Sequence, residues 1–123
     1  MKYYALLLLV LALGLAFTSC SSLRRSQASI RKQFLRDTPL GSTYTVVLDY
    51  AKKKGWPVVE QSAGYEIQEF GKAQGKIVGK RVIRAYLGGY QGLPWHKDVG
   101  CYWAFDEHDK MIEVFVEKQA DAL

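Results

Sequence analysis

The chain has 123 residues, with 17 Lys or Arg, 12 Asp or Glu, 16 aromatics and two Cys; this suits one domain and excludes both a disordered polypeptide and a disulfide-dense mini-scaffold. The formal charge of +5 is unevenly placed: six basic residues and no acid precede Asp37, and from Asp37 onward 11 basic residues face all 12 acids. The part expected to fold is therefore near neutral, and its charge does not point to nucleic acid.

Residues 1–19 have the layout of a secretory signal. Lys2 supplies the positive start, Ala5 to Phe17 is an unbroken apolar or Gly run, and Thr18-Ser19 precede Cys20. The run is short of the ~20 residues a membrane-spanning helix needs. Phe17-Thr18-Ser19-Cys20 resembles the lipobox of bacterial lipoproteins. That resemblance implies cleavage before Cys20, a lipid on Cys20 and, with Ser21 rather than Asp following it, sorting to the outer membrane of a Gram-negative host. The alternatives are an uncleaved short anchor and an ordinary signal peptide. If Cys20 carries a lipid, Cys101 is left without a partner, and in an oxidising compartment it is expected to be buried.

Residues 20–36 read as a lipidated cysteine and a basic tether. Leu23, Ile30, Phe34 and Leu35 are too sparse to suggest a core, and Ser29 is placed to cap a short helix. The cations of the tether either lie along an anionic lipid surface or keep a spacer solvated.

Residues 37–123 read as a single α+β domain. Pro39 and Gly41 punctuate the chain, and Ser42 stands where an N-cap is expected. Tyr44, Val47, Leu48 and Ala51 then share one face of a helix over about 43–54. Lys52, Lys53 and Lys54 suit its negative end, and Gly55 suits the left-handed residue that terminates it. Past Pro57 the period changes to two. Val58-Val59 is a short extended piece, Tyr65 and Ile67 alternate with polar neighbours, and 77–87 reads as one strand with Ile77, Arg81, Ile83, Ala85 and Leu87 on one side and Val78, Lys80, Val82, Arg84 and Tyr86 on the other. Val99, Cys101, Trp103 and Phe105 share a face, as do Ile112, Val114 and Val116, with a polar turn over 106–110. The expected architecture is one principal helix packed on an antiparallel sheet of about four strands.

A lipobox, a capped helix after Pro39-Leu40-Gly41, and late strands reading Tyr102-Trp103-Ala104-Phe105-Asp106 and Met111 to Val116 resemble the SmpA/OmlA (BamE-like) small outer-membrane lipoproteins. In that family, helical residues after a Gly-Ser or Gly-Met turn pack on a sheet with an aromatic hairpin. The resemblance spans about 39–118 and implies a lipid-anchored protein on the periplasmic face of the outer membrane, non-catalytic, that binds or helps assemble envelope proteins. A second function class is a lipoprotein inhibitor of a periplasmic or secreted enzyme, and a third is a hydrolase.

The residues that could carry chemistry are few. His96 with Asp98, and His108 with Glu107 and Asp109, fall short of a zinc ligand set. A nucleophilic Cys101 beside His96 requires an exposed thiol, and the serines lack a nucleophile-elbow pattern. The glycines at 71–92 form no phosphate loop, since no Lys-Ser/Thr pair follows, and they read as turns and a bulge. No catalytic residue, metal or cofactor is expected. Lys72, Lys76, Lys80, Arg81 and Arg84 are the nearest approach to a basic stripe and read as the solvent face of a strand. The connection from about Gly88 to Asp98 concentrates aromatics, which makes Tyr90, Leu93 and Trp95 the candidate partner-binding residues; the alternative is an aromatic lid over the core.

Overall fold

The computed structural model describes residues 22–68, 71 and 75–120. The signal segment, Cys20 and Lys72 lie outside the described residues. Helix α1 (Gln27–Asp37) and helix α2 (Tyr44–Lys53) are followed by β1 (Val58–Gln61), β2 (Tyr65–Ile67), β3 (Lys76–Val78), β4 (Arg81–Gln91), β5 (His96–Phe105) and β6 (Met111–Ala120). The main sheet has the order β1-β4-β5-β6, antiparallel throughout, and β2 pairs with β3 in a separate two-stranded sheet. This is an α+β architecture on a four-stranded antiparallel sheet, with two helices of nearly equal length among the described residues in place of one principal helix.

α2 forms where the apolar spacing placed it. Its N-cap is Thr43, whose side chain accepts from the Val46 N–H at 3.4 Å. Ser42, the expected cap, instead donates its hydroxyl to the Pro39 carbonyl at 2.6 Å, and its own carbonyl accepts from the Met111 N–H at 2.8 Å. Gly55 has φ of 76°, the left-handed residue that closes the helix. α1 is capped by Ser26, whose side chain accepts from the Ser29 N–H. Ser29 therefore lies inside the first turn.

The expectation that residues 20–36 are too sparse in apolar groups for a core is corrected by α1. Ile30 and Phe34, four apart on one face, are buried with Val47, Ala51, Ile83, Cys101, Trp103 and Val114. Phe34 makes edge contacts with Trp103 (5.4 Å between centroids), Trp56 (5.7 Å) and Tyr50 (6.3 Å). Two apolar residues suffice because three aromatics from other elements complete the cluster. α1 is also fastened to the sheet edge: Arg31 Nε donates to the Val114 carbonyl at 3.0 Å, and its guanidinium pairs with Glu113.

Two strand assignments change. Residues 77–87 are not one strand, because Gly79, at φ 81°, separates β3 from β4; a Cβ there would lie 2.8 Å from the Phe105 carbonyl oxygen. In β6 it is Met111, not Ile112, that joins the core with Val114. The register shifts between Ala104 and Phe105, so that Phe105 faces Met111 while Ile112 stays 41% exposed. The turn before it is held by Asp106, whose carboxylate accepts from the N–H groups of His108 (2.8 Å) and Lys110 (3.0 Å). Those bonds, Lys110's foremost, hold its pKa below the usual carboxylate value.

Candidate functional site: an open groove on the outer sheet face

Alternation along the strands gives the sheet two unlike faces. The inner face carries Ile83, Ala85, Val99, Cys101, Trp103, Phe105 and Val114 against the helices. The outer face carries Val59, Val82, Arg84, Tyr86, Asp98, Gly100, Tyr102, Ala104, Phe115 and Glu117, as the pairing register requires. One end of that face is covered by the β2–β3 hairpin, through Tyr65 stacked on Phe115 (4.5 Å) and tilted against Tyr102 (4.7 Å). Val82 and Ala104 are fully buried there.

The other end stays open and forms a groove of about 230 Å³, walled by Val59, Arg84, Tyr86, Asp98, Tyr102 and Glu117. Gly100 is its floor. A Cβ built on Gly100 would meet nothing closer than 3.6 Å, so the groove exists partly because this position has no side chain. Tyr86 Oη donates to Asp98 Oδ1 at 2.7 Å, and His96 Nε2 lies 3.2 Å from the same oxygen. Gly89 permits that pair: a Cβ there would collide with His96 and lie 2.8 Å from the Asp98 carboxylate. Arg84 lies over the Tyr102 ring at 5.2 Å. Burial, reinforced by the adjacent Glu117 carboxylate, raises the Tyr65 and Tyr102 phenols above their usual value. The groove thus combines two tyrosines, an arginine and two carboxylates over an apolar base, a surface suited to recognition. Ser, Thr, Cys and His are absent from its lining.

Cys101 and His96 cannot act together. They stand on opposite faces of β5, with Cys101 buried under the helices and its thiol pushed well above the ordinary value by that burial. His108 lies 3.6 Å from Glu107 in the exposed β5–β6 turn. Among the described residues no three His, Cys, Asp or Glu side chains converge as metal ligands.

Of the three residues chosen from the Gly-rich connection, Leu93 and Trp95 lie exposed in one turn, and Tyr90 packs against the core two residues before it. The connection itself is shorter than expected: β4 runs through Gln91 and β5 begins at His96, opposite each other, leaving the four-residue turn Gly92 to Trp95 closed by Gly92 N–H to the Trp95 carbonyl at 3.1 Å. Pairing continues past the glycines because a register shift between Tyr86 and Gly88 absorbs one residue. Tyr90 packs on the inner face beneath Arg24 and Lys118, both cations 5.0 Å from its ring, and Lys118 Nζ donates to its hydroxyl at 3.1 Å. That bond lowers the Tyr90 pKa. Leu93 is 99% exposed and Trp95 42% exposed in the turn.

Sequence reasoning missed Val59, Tyr86, Tyr102 and Gly100 as neighbours. The outward alternation of Arg84 and Tyr86 against Ile83 and Ala85 was legible, but not which outward residues the second hairpin would leave uncovered. The basic stripe also divides: Arg84 faces the groove, whereas Arg81 pairs with both Asp109 oxygens at 3.0 Å and stacks 3.7 Å over Tyr44. Compared with known proteins, the chain matches no family model, no curated protein and no solved structure.

Proposed function

We propose that this protein is a membrane-anchored envelope lipoprotein, tethered through a lipid on Cys20, that acts as a non-catalytic protein-binding or assembly accessory. Its partner, an envelope protein, docks a polypeptide segment in the open half of the outer sheet face. The observation that supports a binding role is the groove itself: aromatic and charged walls on rigid strands over a glycine floor. The lipobox-like Phe17 to Cys20 supports the anchor and, with Ser21, an outer-membrane location on the periplasmic face.

A photocrosslinking residue at Val59, on the groove wall, should capture an envelope protein in living cells, and one at Lys32, on the exposed side of α1, should not. Gly100→Leu should abolish the Val59 adduct. Equal capture from both positions, or capture indifferent to Gly100→Leu, would refute the groove as the docking site. Loss of palmitate incorporation on Cys20→Ser tests the anchor separately. The inhibitor reading draws support from the exposed Leu93 turn; a lytic enzyme or protease captured only while Leu93 is intact would favour it.

A further inference from the structure

The first described residues run alongside the β4–β5 hairpin, near its turn. Leu23 reaches over Gly88, its Cδ1 3.2 Å from where a Cβ would stand, and Arg24 covers Tyr90, two residues from the turn. Gly88 is four residues from Gly92, about 13 Å along an extended strand. Cys20 precedes Ser22 by two residues, which span at most about 7 Å. Membrane attachment through Cys20 or through the apolar run before it therefore brings the bilayer to the end of the sheet that carries Leu93-Pro94-Trp95. At that turn three successive residues, two of them large and apolar, are exposed.

The charges around the turn are complementary to anionic headgroups. Arg24 and Lys118 flank Tyr90, and the Lys97 side chain passes Gly92, its Cε 3.6 Å from where a Cβ would stand. The acid on this stretch of β5, Asp98, is on the opposite face and bonded to Tyr86 and His96. Gln91 and Gln119 are neutral. An indole and a leucine at a projecting tip, ringed by cations, are the groups that partition into the interfacial layer of a bilayer.

We infer that the β4–β5 turn is a second membrane contact: Leu93 and Trp95 insert among anionic lipid headgroups while Arg24 and Lys97 face the phosphates. The inference rests on the membrane attachment proposed above. It orients the domain with its strands upright, so that the β5–β6 turn lies about 30 Å farther from the bilayer, the length of the ten residues of β5. A turn engaged with lipid is not free to plug an enzyme.

The test uses the full chain carrying Leu93→Cys or His108→Cys, each labelled with an environment-sensitive fluorophore and reconstituted in phosphatidylethanolamine vesicles containing phosphatidylglycerol. The unsubstituted protein, treated identically, gives the background from the native cysteines, Cys101 and any unlipidated Cys20. The label at 93 should be quenched by headgroup-nitroxide lipids and be several-fold less accessible to iodide than the label at 108. A label at 93 that stays iodide-accessible while the protein sediments with the vesicles overturns the tip contact and leaves the anchor standing. Protein that does not sediment overturns both. Protection from iodide at 93 without quenching by the nitroxide lipids, together with a crosslinked dimer, means that a second copy covers the turn, which also overturns the inference.

Discussion

The indole N–H of Trp103 donates to the Thr38 hydroxyl at 3.2 Å across 65 positions of sequence, and that hydroxyl donates in turn to the Phe34 carbonyl at 2.7 Å. Thr38, 1% exposed, is the one buried polar residue among those described. It satisfies the last turn of α1 and the largest side chain of the core with one oxygen, which fixes α1 on the sheet at the point where the chain turns toward α2. Replacing it by Val keeps the shape and strands the indole N–H. Thr38→Val should cost about 1–3 kcal/mol in urea unfolding, and Thr38→Ser should recover most of that. An unchanged midpoint for Thr38→Val would show that the bond contributes nothing.

Alkaline pH should loosen the fold. Burial raises the Cys101 thiol well above its ordinary value, and burial with the Asp37 carboxylate, to which Tyr50 donates at 2.6 Å, raises the Tyr50 phenol. Both are acids whose folded pKa exceeds the unfolded one. The stability they contribute is whole below the unfolded values, about 8.5 for the thiol and 10 for the phenol, and is lost as pH rises beyond them. The urea midpoint should fall from about pH 8.5 upward in the wild type, and for Cys101→Ala the fall should begin nearer pH 10. An onset unmoved by that substitution would remove the thiol from the account.

Native Cys101 should react slowly with a thiol reagent and rapidly in denaturant, because its side chain is buried between the sheet and the helices. Cys101→Ala should cost on the order of 1 kcal/mol in lost packing. Fast labelling of the native protein would contradict the inward placement.

Tyr90 and Trp95 should separate in a thermal melt. Trp95 lies in the turn and Tyr90 packs against the core, so Trp95→Ala should stay within about 0.5 kcal/mol of wild type. Tyr90→Ala should lose roughly 2 kcal/mol. The reverse order would mean that the turn, and not the stem, holds the hairpin.

Gly100 offers a substitution that alters the groove without disturbing the strand. Its Cβ would meet Tyr102 at 3.6 Å and the Ala85 carbonyl at 3.8 Å, both ordinary contacts. Gly100→Ala should therefore leave the melting temperature unchanged or raise stability by about 0.5 kcal/mol, while Gly79→Ala, at φ 81° and with a Cβ 2.8 Å from the Phe105 carbonyl oxygen, should destabilise. Equal effects at the two glycines would contradict the open floor.

Local pattern was enough for much of this protein. The 3.6-residue spacing of Tyr44, Val47 and Ala51 delivered α2, and the two-residue spacing from Val99 to Phe105 placed Cys101 and Trp103 inward, because each period fixes the face of a residue whatever lies across from it. Tertiary structure decided the rest. Ile30 and Phe34 are too few to announce a core element and become one because Tyr50, Trp56 and Trp103, distant in sequence, close around Phe34. The Gly-rich stretch after Leu87 lacks strand-forming side chains, yet backbone pairing with β5 and a register shift carry β4 through to Gln91. Met111 displaces Ile112 from the core by a shift that no alternation pattern contains. The groove is the clearest case: its residues were marked as outward by their own strands, but which of them remain uncovered depended on where the β2–β3 hairpin came to rest, a contact between elements that local spacing does not encode.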